Sequence, residues 1–256
     1  MIAVLDFGMG NIHSILKALR LFYDDVRFTA DVADIRKCRG LVLPGDGHFE
    51  TAMRNLAGEK EDSIRNHVLQ GRPLLGICIG FQLLFDDSSE TIARMKSSNK
   101  SDERGSVYND DDPTEKGDVD ERMVLKKGVD NEAGGLVAVF TNHQGPLVKG
   151  LGLVQGSVRR FRFDDPQIRI PHMGWNRLQP KPSLEKPAFY LSESMYFIHS
   201  YRPENTDENN VITTTDYCGD RFASTIQKES ILATQYHPEK SDKAGLQFLK
   251  DWVKSI

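Results

Sequence analysis

Pro73-Leu74-Leu75-Gly76-Ile77-Cys78-Ile79-Gly80-Phe81-Gln82-Leu83-Leu84-Phe85 joins an apolar strand-like run to an apolar helix-like run through a cysteine flanked by glycines. A nucleophile at this spacing between strand and helix is the pattern of a nucleophile elbow. The glycines permit a tight turn and let neighbouring backbone approach closely. A cysteine at a helix start also feels the positive end of the helix dipole, which favours the reactive thiolate. Against this stands a plainer reading, a buried structural cysteine, since free cysteine is among the most buried residue types.

Upstream of the elbow, strand and helix patterns alternate. Ile2–Leu5 is a short apolar run ending at Asp6, and Phe7-Gly8-Met9-Gly10-Asn11 is a glycine turn. Ile12, Ile15, Leu16, Leu19 and Phe22 then recur at helical spacing. Val26–Phe28 and Leu41–Leu43 read as the second and third strands, and Leu74–Ile77 as the fourth. Helices are expected through Met53 and Leu56 and over Ile64–Leu69. Such alternation implies a parallel sheet with helices on both faces, and ligands bind at the carboxyl ends of its strands. Pro44-Gly45-Asp46-Gly47 and Gly76–Gly80 both sit at such ends.

The composition bounds the function class. The chain has 256 residues, 39% hydrophobic and 27% charged, which suits a globular protein with a real core. No apolar run approaches the roughly 20 residues of a membrane helix. Met1–Asp6 reads as a first buried strand, not a leader peptide. Three cysteines without paired spacing argue for a reducing, cytoplasmic compartment, and Cys38 and Cys218 read as buried fillers. A net charge of −4 offers no basic footprint for nucleic acid. Residues 88–134 hold twelve acidic and eight basic side chains, so this segment accounts for the whole net charge. It reads as an acidic, flexible insertion within a single domain spanning 1–256, because so few large apolar side chains cannot offset ordering entropy. Leu136–Phe140 looks like a strand, and runs at 152–163, 168–178, 195–201, 211–215 and 222–236 give a β-rich C-terminal part. A closing helix follows from Ser241, its expected N-cap, with Leu246, Leu249 and Val253 facing inward.

Tyr236-His237-Pro238-Glu239-Lys240-Ser241 lies between the last strand and the last helix. A thiol nucleophile benefits from a base within reach, and the base from an orienting group. His237 can take the thiol proton, and Glu239 can hold the imidazole tautomer, which makes Cys78, His237 and Glu239 a coherent triad. Rival chemistries are weak. No His/Cys pair has zinc-ligand spacing, there is no phosphate loop, and Gly8-Met9-Gly10 lacks the third glycine of a dinucleotide fingerprint. No metal or cofactor is expected.

These motifs resemble the triad (class I) glutamine amidotransferases, and most of all the glutaminase subunits of imidazole glycerol phosphate synthases. The likeness covers residues 1–88 and 150–256. It is carried by Asp6–Asn11, Leu43–Gly47, the elbow, Pro171-His172-Met173-Gly174-Trp175-Asn176, Tyr196–Tyr201 and His237–Ser241. The resemblance implies a flavodoxin-like fold. It also implies attack of Cys78 on the glutamine amide, proton transfer by His237 held by Glu239, and hydrolysis of a glutamyl thioester. The oxyanion would be held by the backbone N–H groups of Ile79 and Gly47. Gln82, Ser200 and Tyr201 would grip the α-amino and α-carboxylate groups. Asn11, Trp175 and Lys240 would line the interface with a (β/α)8-barrel cyclase, which uses the ammonia to make imidazole glycerol phosphate and an aminoimidazole carboxamide ribonucleotide.

The chain departs from the family pattern at position 46, where an apolar residue is usual and Asp stands here. A carboxylate beside the oxyanion would oppose developing negative charge; the alternative is that Asp46 points into solvent or pairs with a nearby cation. The acidic insertion is the second departure. Other readings remain open from residues alone: an amidotransferase subunit feeding another acceptor such as a surface sugar, a docking or regulatory subunit with weak catalysis, or a general thiol hydrolase.

Overall fold

In a computed structural model the described residues are 1–8, 12–92, 147–183 and 188–256. The readings made for Asn11, for residues 93–134 of the insertion and for Leu136–Phe140 lie outside them. Residues 1–92 and 145–256 form one compact unit.

The amino-terminal half alternates as the patterning implies: β1 (Ile2–Leu5), α1 (Ile12–Arg20), β2 (Val26–Thr29), α2 (Val32–Lys37), β3 (Gly40–Leu43), α3 (Phe49–Leu56), α4 (Glu59–Leu69), β4 (Leu74–Ile77) and α5 (Ile79–Gln82). The short strands β5 (Asp87–Ser88) and β6 (Val148–Lys149) flank the insertion. The remainder is β7 (Ser157–Arg160), β8 (His172–Arg177), β9 (Gln179–Pro180), β10 (Ser194–His199), β11 (Tyr201–Glu204), β12 (Val211–Tyr217), β13 (Asp220–Lys228), β14 (Ile231–Thr234) and α6 (Asp242–Lys254).

An eight-stranded sheet in the order β2-β1-β3-β4-β14-β13-β12-β9 forms the centre. Pairing is parallel from β2 to β14 and antiparallel beyond, so the β-rich tail extends the parallel sheet from one edge. Strands β1, β3 and β4 are buried at every residue, as continuous apolar runs between two helical layers should be. One core cluster gathers Leu5, Leu41, Phe49 and Ile64 on one face, and a second gathers Ile15, Leu19, Leu249 and Trp252 on the other.

Several elements differ from the sequence expectation. Helix α2 is an addition; Asp31 caps it by accepting from the Ala33 N–H. The helix behind the elbow spans only Ile79–Gln82, and Leu84 and Phe85 bond three residues back to Phe81 and Gln82 as the chain tightens. The run at 195–201 breaks at Ser200: β10 pairs with β8, whereas β11 pairs with β7 in another sheet. Ser241 precedes α6, yet its hydroxyl does not cap that helix. It accepts instead from the Tyr196 N–H at 2.9 Å and donates to the His237 carbonyl at 2.6 Å. Cys218 is exposed, not a buried filler, and only Cys38 of that pair lies in the core. Leu249 and Val253 are buried as expected, and Leu246 is partly so.

Candidate active site

Strands β4 and β14 are parallel neighbours, with Ile77 opposite Thr234, so the residues leaving their carboxyl ends emerge side by side. Cys78 leaves β4 and His237 follows β14. The Cys78 N–H donates to the Thr234 carbonyl at 2.8 Å, which ties the two exits together. Cys78 has φ 50° and ψ −102°, a strained conformation for a non-glycine residue and the geometry that lifts a nucleophile out of its turn. Gly80 is required by contact: a Cβ there would stand 2.1 Å from the Leu43 carbonyl oxygen. Gly45 is equally constrained, since its Cβ would meet the Ile77 oxygen at 2.5 Å. The oxyanion-side loop is thereby pressed against the elbow.

The His237 Nδ1–H donates to Glu239 Oε1 at 2.8 Å, which leaves Nε2 as the nitrogen open to other partners. Both side chains are buried. Burial alone would lower the His237 pKa, but the charges of Cys78 and then Glu239 overcome it and push it up to about 10. Nε2 is buried without a hydrogen-bond partner among the described residues. The Cys78 thiol meanwhile donates weakly to the Ile198 carbonyl and accepts from Gln235 Nε2, each at 3.7 Å. Cys78, His237 and Glu239 are thus brought together, with Cys78 near enough to His237 to raise its pKa. The turn carrying His237 is stitched to β10 by the Ser241 bonds and by the His237 N–H to the Tyr196 carbonyl at 2.9 Å.

A cavity of about 280 Å³ opens over Cys78, lined among others by Gly47, Ile79, Gln82, Ser200 and Tyr201. Every residue expected for the oxyanion and for glutamine therefore borders one space. Ile79 opens α5, so its N–H is one of the orphan donors of a helix start. Gln82 Nε2 donates to the Tyr201 carbonyl at 2.9 Å and to Gln235 Oε1 at 3.0 Å. With both amide hydrogens committed, Gln82 meets a ligand through its carbonyl oxygen. Next in the chain, Arg202 forks onto Asp220 through Nε and Nη2 at 2.9 and 2.7 Å, anchoring the start of β11.

Three residues around this space escaped the sequence reading. Glu90 lines the cavity, accepts from the Phe49 N–H at 2.9 Å, and has its carboxyl pKa raised chiefly by burial. It sits at the edge of the acidic insertion, where its charge looks unexceptional. Gln235 is fully buried beside the thiol. Its signal was the alternation of extended chain, which places residues two apart on one side, as with Gln235 and His237. His199 is the third, described below.

Asp46 does not simply face solvent. Its Oδ1 lies 3.8 Å from His237 Nε2 and 3.9 Å from Lys240 Nζ, so it pairs with a cation and also confronts the base. Trp175 is 55% exposed and Met173 59% exposed on β8, with Trp175 edge-on to Tyr196 at 6.2 Å between centroids. Trp175 is therefore no core residue. Asn11 lies outside the described residues.

The elbow cysteine, the paired base and a glutamine-sized cavity at the strand ends are the arrangement of a class I glutamine amidotransferase. Residues 3–256 match the family described as Glutamine amidotransferase class-I, and the chain belongs to that family. Within it, the chain is 33% identical to the imidazole glycerol phosphate synthase subunit HisH of Methanocaldococcus jannaschii, covering 100% of both chains. It is 33% identical to HisH of Syntrophotalea carbinolica, over 98% of each chain, and 31% identical to HisH of Prochlorococcus marinus subsp. pastoris, over 100% and 98%. Among solved structures, one titled glutamine amidotransferase superposes with a TM-score of 0.59 at 16% identity, covering 99% of this chain and 98% of that one. PurLQS from Thermotoga maritima gives a TM-score of 0.56 at 15% identity, over 100% and 96%. At such identities these two speak for the fold alone.

Proposed function

We propose that this chain is the glutaminase subunit of an imidazole glycerol phosphate synthase. It hydrolyses glutamine to glutamate and ammonia and delivers the ammonia to a (β/α)8-barrel cyclase in histidine biosynthesis. The observation that carries the reading is Cys78, strained out of its turn on the cavity wall with His237 held by Glu239 behind it, in a chain that matches HisH subunits over its full length.

Glutamine enters with its α-ammonium toward Gln82 Oε1 and the half-buried Glu90, and its α-carboxylate toward the Ser200–Tyr201 backbone. The Cys78 sulfur attacks the side-chain amide carbon, with the proton that leaves the thiol carried on His237, whose raised pKa favours holding it. The resulting oxyanion is received by the N–H groups of Ile79 and Gly47; one such donor is worth about 3 kcal/mol of transition-state stabilisation. His237 returns the proton to the leaving ammonia, then activates the water that cleaves the thioester. Glu239 keeps the imidazole in the required tautomer and balances its charge throughout. Trp175, Lys240 and Asn11 belong to the cyclase-facing surface; the exposed Met173–Trp175 patch supports that assignment.

The test is glutamate release from glutamine by this chain, alone and with a cyclase subunit and the acceptor nucleotide, with Cys78→Ala as control. A Cys78-dependent rise in the complex is expected. No release with or without the partner would refute the glutaminase reading, and release without a rise would move the search to another acceptor.

A further inference from the structure

A line of hydrogen bonds runs from half-buried Asn176 on β8 through buried histidines to the cavity wall, and its polarity is set at every link. Asn176 is oriented by two backbone groups: its Oδ1 accepts from the Arg177 N–H at 2.8 Å, and its Nδ2 donates to the Asp216 carbonyl at 2.8 Å. Nδ2 also stands 3.2 Å from His172 Nε2, which must therefore accept. The His172 proton is then on Nδ1, 3.0 Å from His199 Nε2, which must accept in turn. The His199 proton is left on Nδ1 and is donated to the Tyr201 carbonyl at 2.8 Å. That carbonyl is the one Gln82 Nε2 binds, and Gln82 Nε2 passes on to Gln235, whose own amide nitrogen reaches the Cys78 sulfur.

We infer that His199 and His172 are positioning residues for glutamine, acting through the Tyr201 carbonyl and Gln82. The imidazole pair fixes where the Tyr201 carbonyl lies. This carbonyl and Gln235 Oε1 together take both hydrogens of the Gln82 amide and turn its oxygen toward the α-ammonium. The inference deepens the glutaminase reading and rests on it. Its surroundings support it: His172 and His199 are buried among Phe161, Phe197, Phe222 and Tyr217, with His172 stacked on Tyr217 at 4.1 Å between centroids. Burial holds both imidazoles neutral, with pKa values lowered to about 4 for His172 and about 3 for His199. Two neutral rings in a row can relay a fixed orientation, whereas a charged one would offer no acceptor.

Two measurements test this. In ¹⁵N-histidine-labelled protein at neutral pH, His172 and His199 should both carry the proton on Nδ1, the tautomer a free imidazole favours less. A proton on Nε2 of either ring would overturn the proposal, whatever the activity. In glutamine hydrolysis by the complex with the cyclase, His199→Phe keeps the ring shape and should raise KM for glutamine by about ten-fold while kcat stays within roughly three-fold. His199→Asn retains a donor near the Nδ1 position and should recover most of that loss. If the two variants share one KM, or if kcat falls and KM does not move, His199 is packing only. Should His199→Phe fail to fold by circular dichroism, the tautomer measurement decides. Absence of Cys78-dependent hydrolysis in the unmodified chain would refute the glutaminase reading instead, and the tautomer result would still stand on its own.

Discussion

Asp46 Oδ1 stands 3.8 Å from His237 Nε2, and the same oxygen lies 3.9 Å from Lys240 Nζ. One carboxylate thus draws on the proposed base and on a cation of the proposed partner-facing surface. It also sits in the loop that is to receive negative charge. A negative group there stabilises the imidazolium but opposes the oxyanion. Because the Asp46 side chain is about a third exposed, solvent screens much of the effect.

Replacing Asp46 by Val should therefore raise glutamine hydrolysis by the unpartnered chain, by about five-fold for an effect on the order of 1 kcal/mol. Steady-state glutamate release from Asp46→Val and the parent chain checks it. An unchanged basal rate would mean that Asp46 is only a surface ion-pair partner.

Glu239→Gln keeps the shape of the side chain but removes the charge that orients His237. Loss of a charged partner of this kind lowers kcat by about 10²- to 10⁴-fold with little change in KM. The same substitution removes one of the causes that raise the His237 pKa. The titration of the His237 imidazole, followed by NMR, should move to lower pH accordingly.

Acid should destabilise the fold early. His67, His172 and His199 have folded-state pKa values lowered to about 4, 4 and 3, chiefly by burial, against 6.5 when exposed. The unfolded chain therefore binds more protons between pH 6.5 and 3, so stability is fully present above pH 6.5 and falls as the pH drops through that window. His237 has the opposite sign. Its pKa, raised to about 10, gives a stability contribution present below pH 6.5 and lost as the pH rises toward 10. Urea midpoints measured from pH 4 to 10 should show a maximum around neutrality, and Cys78→Ala should weaken the alkaline limb.

Gly80→Ala should cost at least a few kcal/mol, because backbone on both sides of the 2.1 Å contact would have to move. Trp175→Ala, on an exposed side chain, should change stability by no more than about 0.5 kcal/mol. In the proposed assembly it should nevertheless weaken stimulation by the cyclase. Denaturant melts and partner titrations separate the two cases.

The alternating half of the fold was legible because its signals are local. A strand buried on both faces reads as an unbroken apolar run, and β1, β3 and β4 lie where Ile2–Leu5, Leu41–Leu43 and Leu74–Ile77 indicate. Cys78, His237 and Glu239 were legible for a similar reason, since an elbow and a two-residue His-to-Glu spacing are short-range patterns. What escaped depends on contacts distant in sequence. Ser200 separates two strands of different sheets, yet the residues around it read as one continuous run. Ser241 has the composition of a helix cap, but a strand forty-five residues away claims its hydroxyl. His199 and Gln235 are ordinary residues until the chain brings them to Tyr201 and Cys78.

Asp87 pairs with Lys149 and Ser88 with Val148, so β5 and β6 zip together on either side of the acidic segment in the sequence. The closed stem makes that place a socket. Cys78 and His237 are spaced by the β4–β14 register, in which neither stem strand takes part. Lengthening a closed loop costs only about 0.6 kcal/mol per doubling. A tag or small domain inserted beyond Ile92 should therefore leave the distance between Cys78 and His237 unchanged, provided Glu90 and the Ile92 N–H keep their bonds to Phe49 and Glu50.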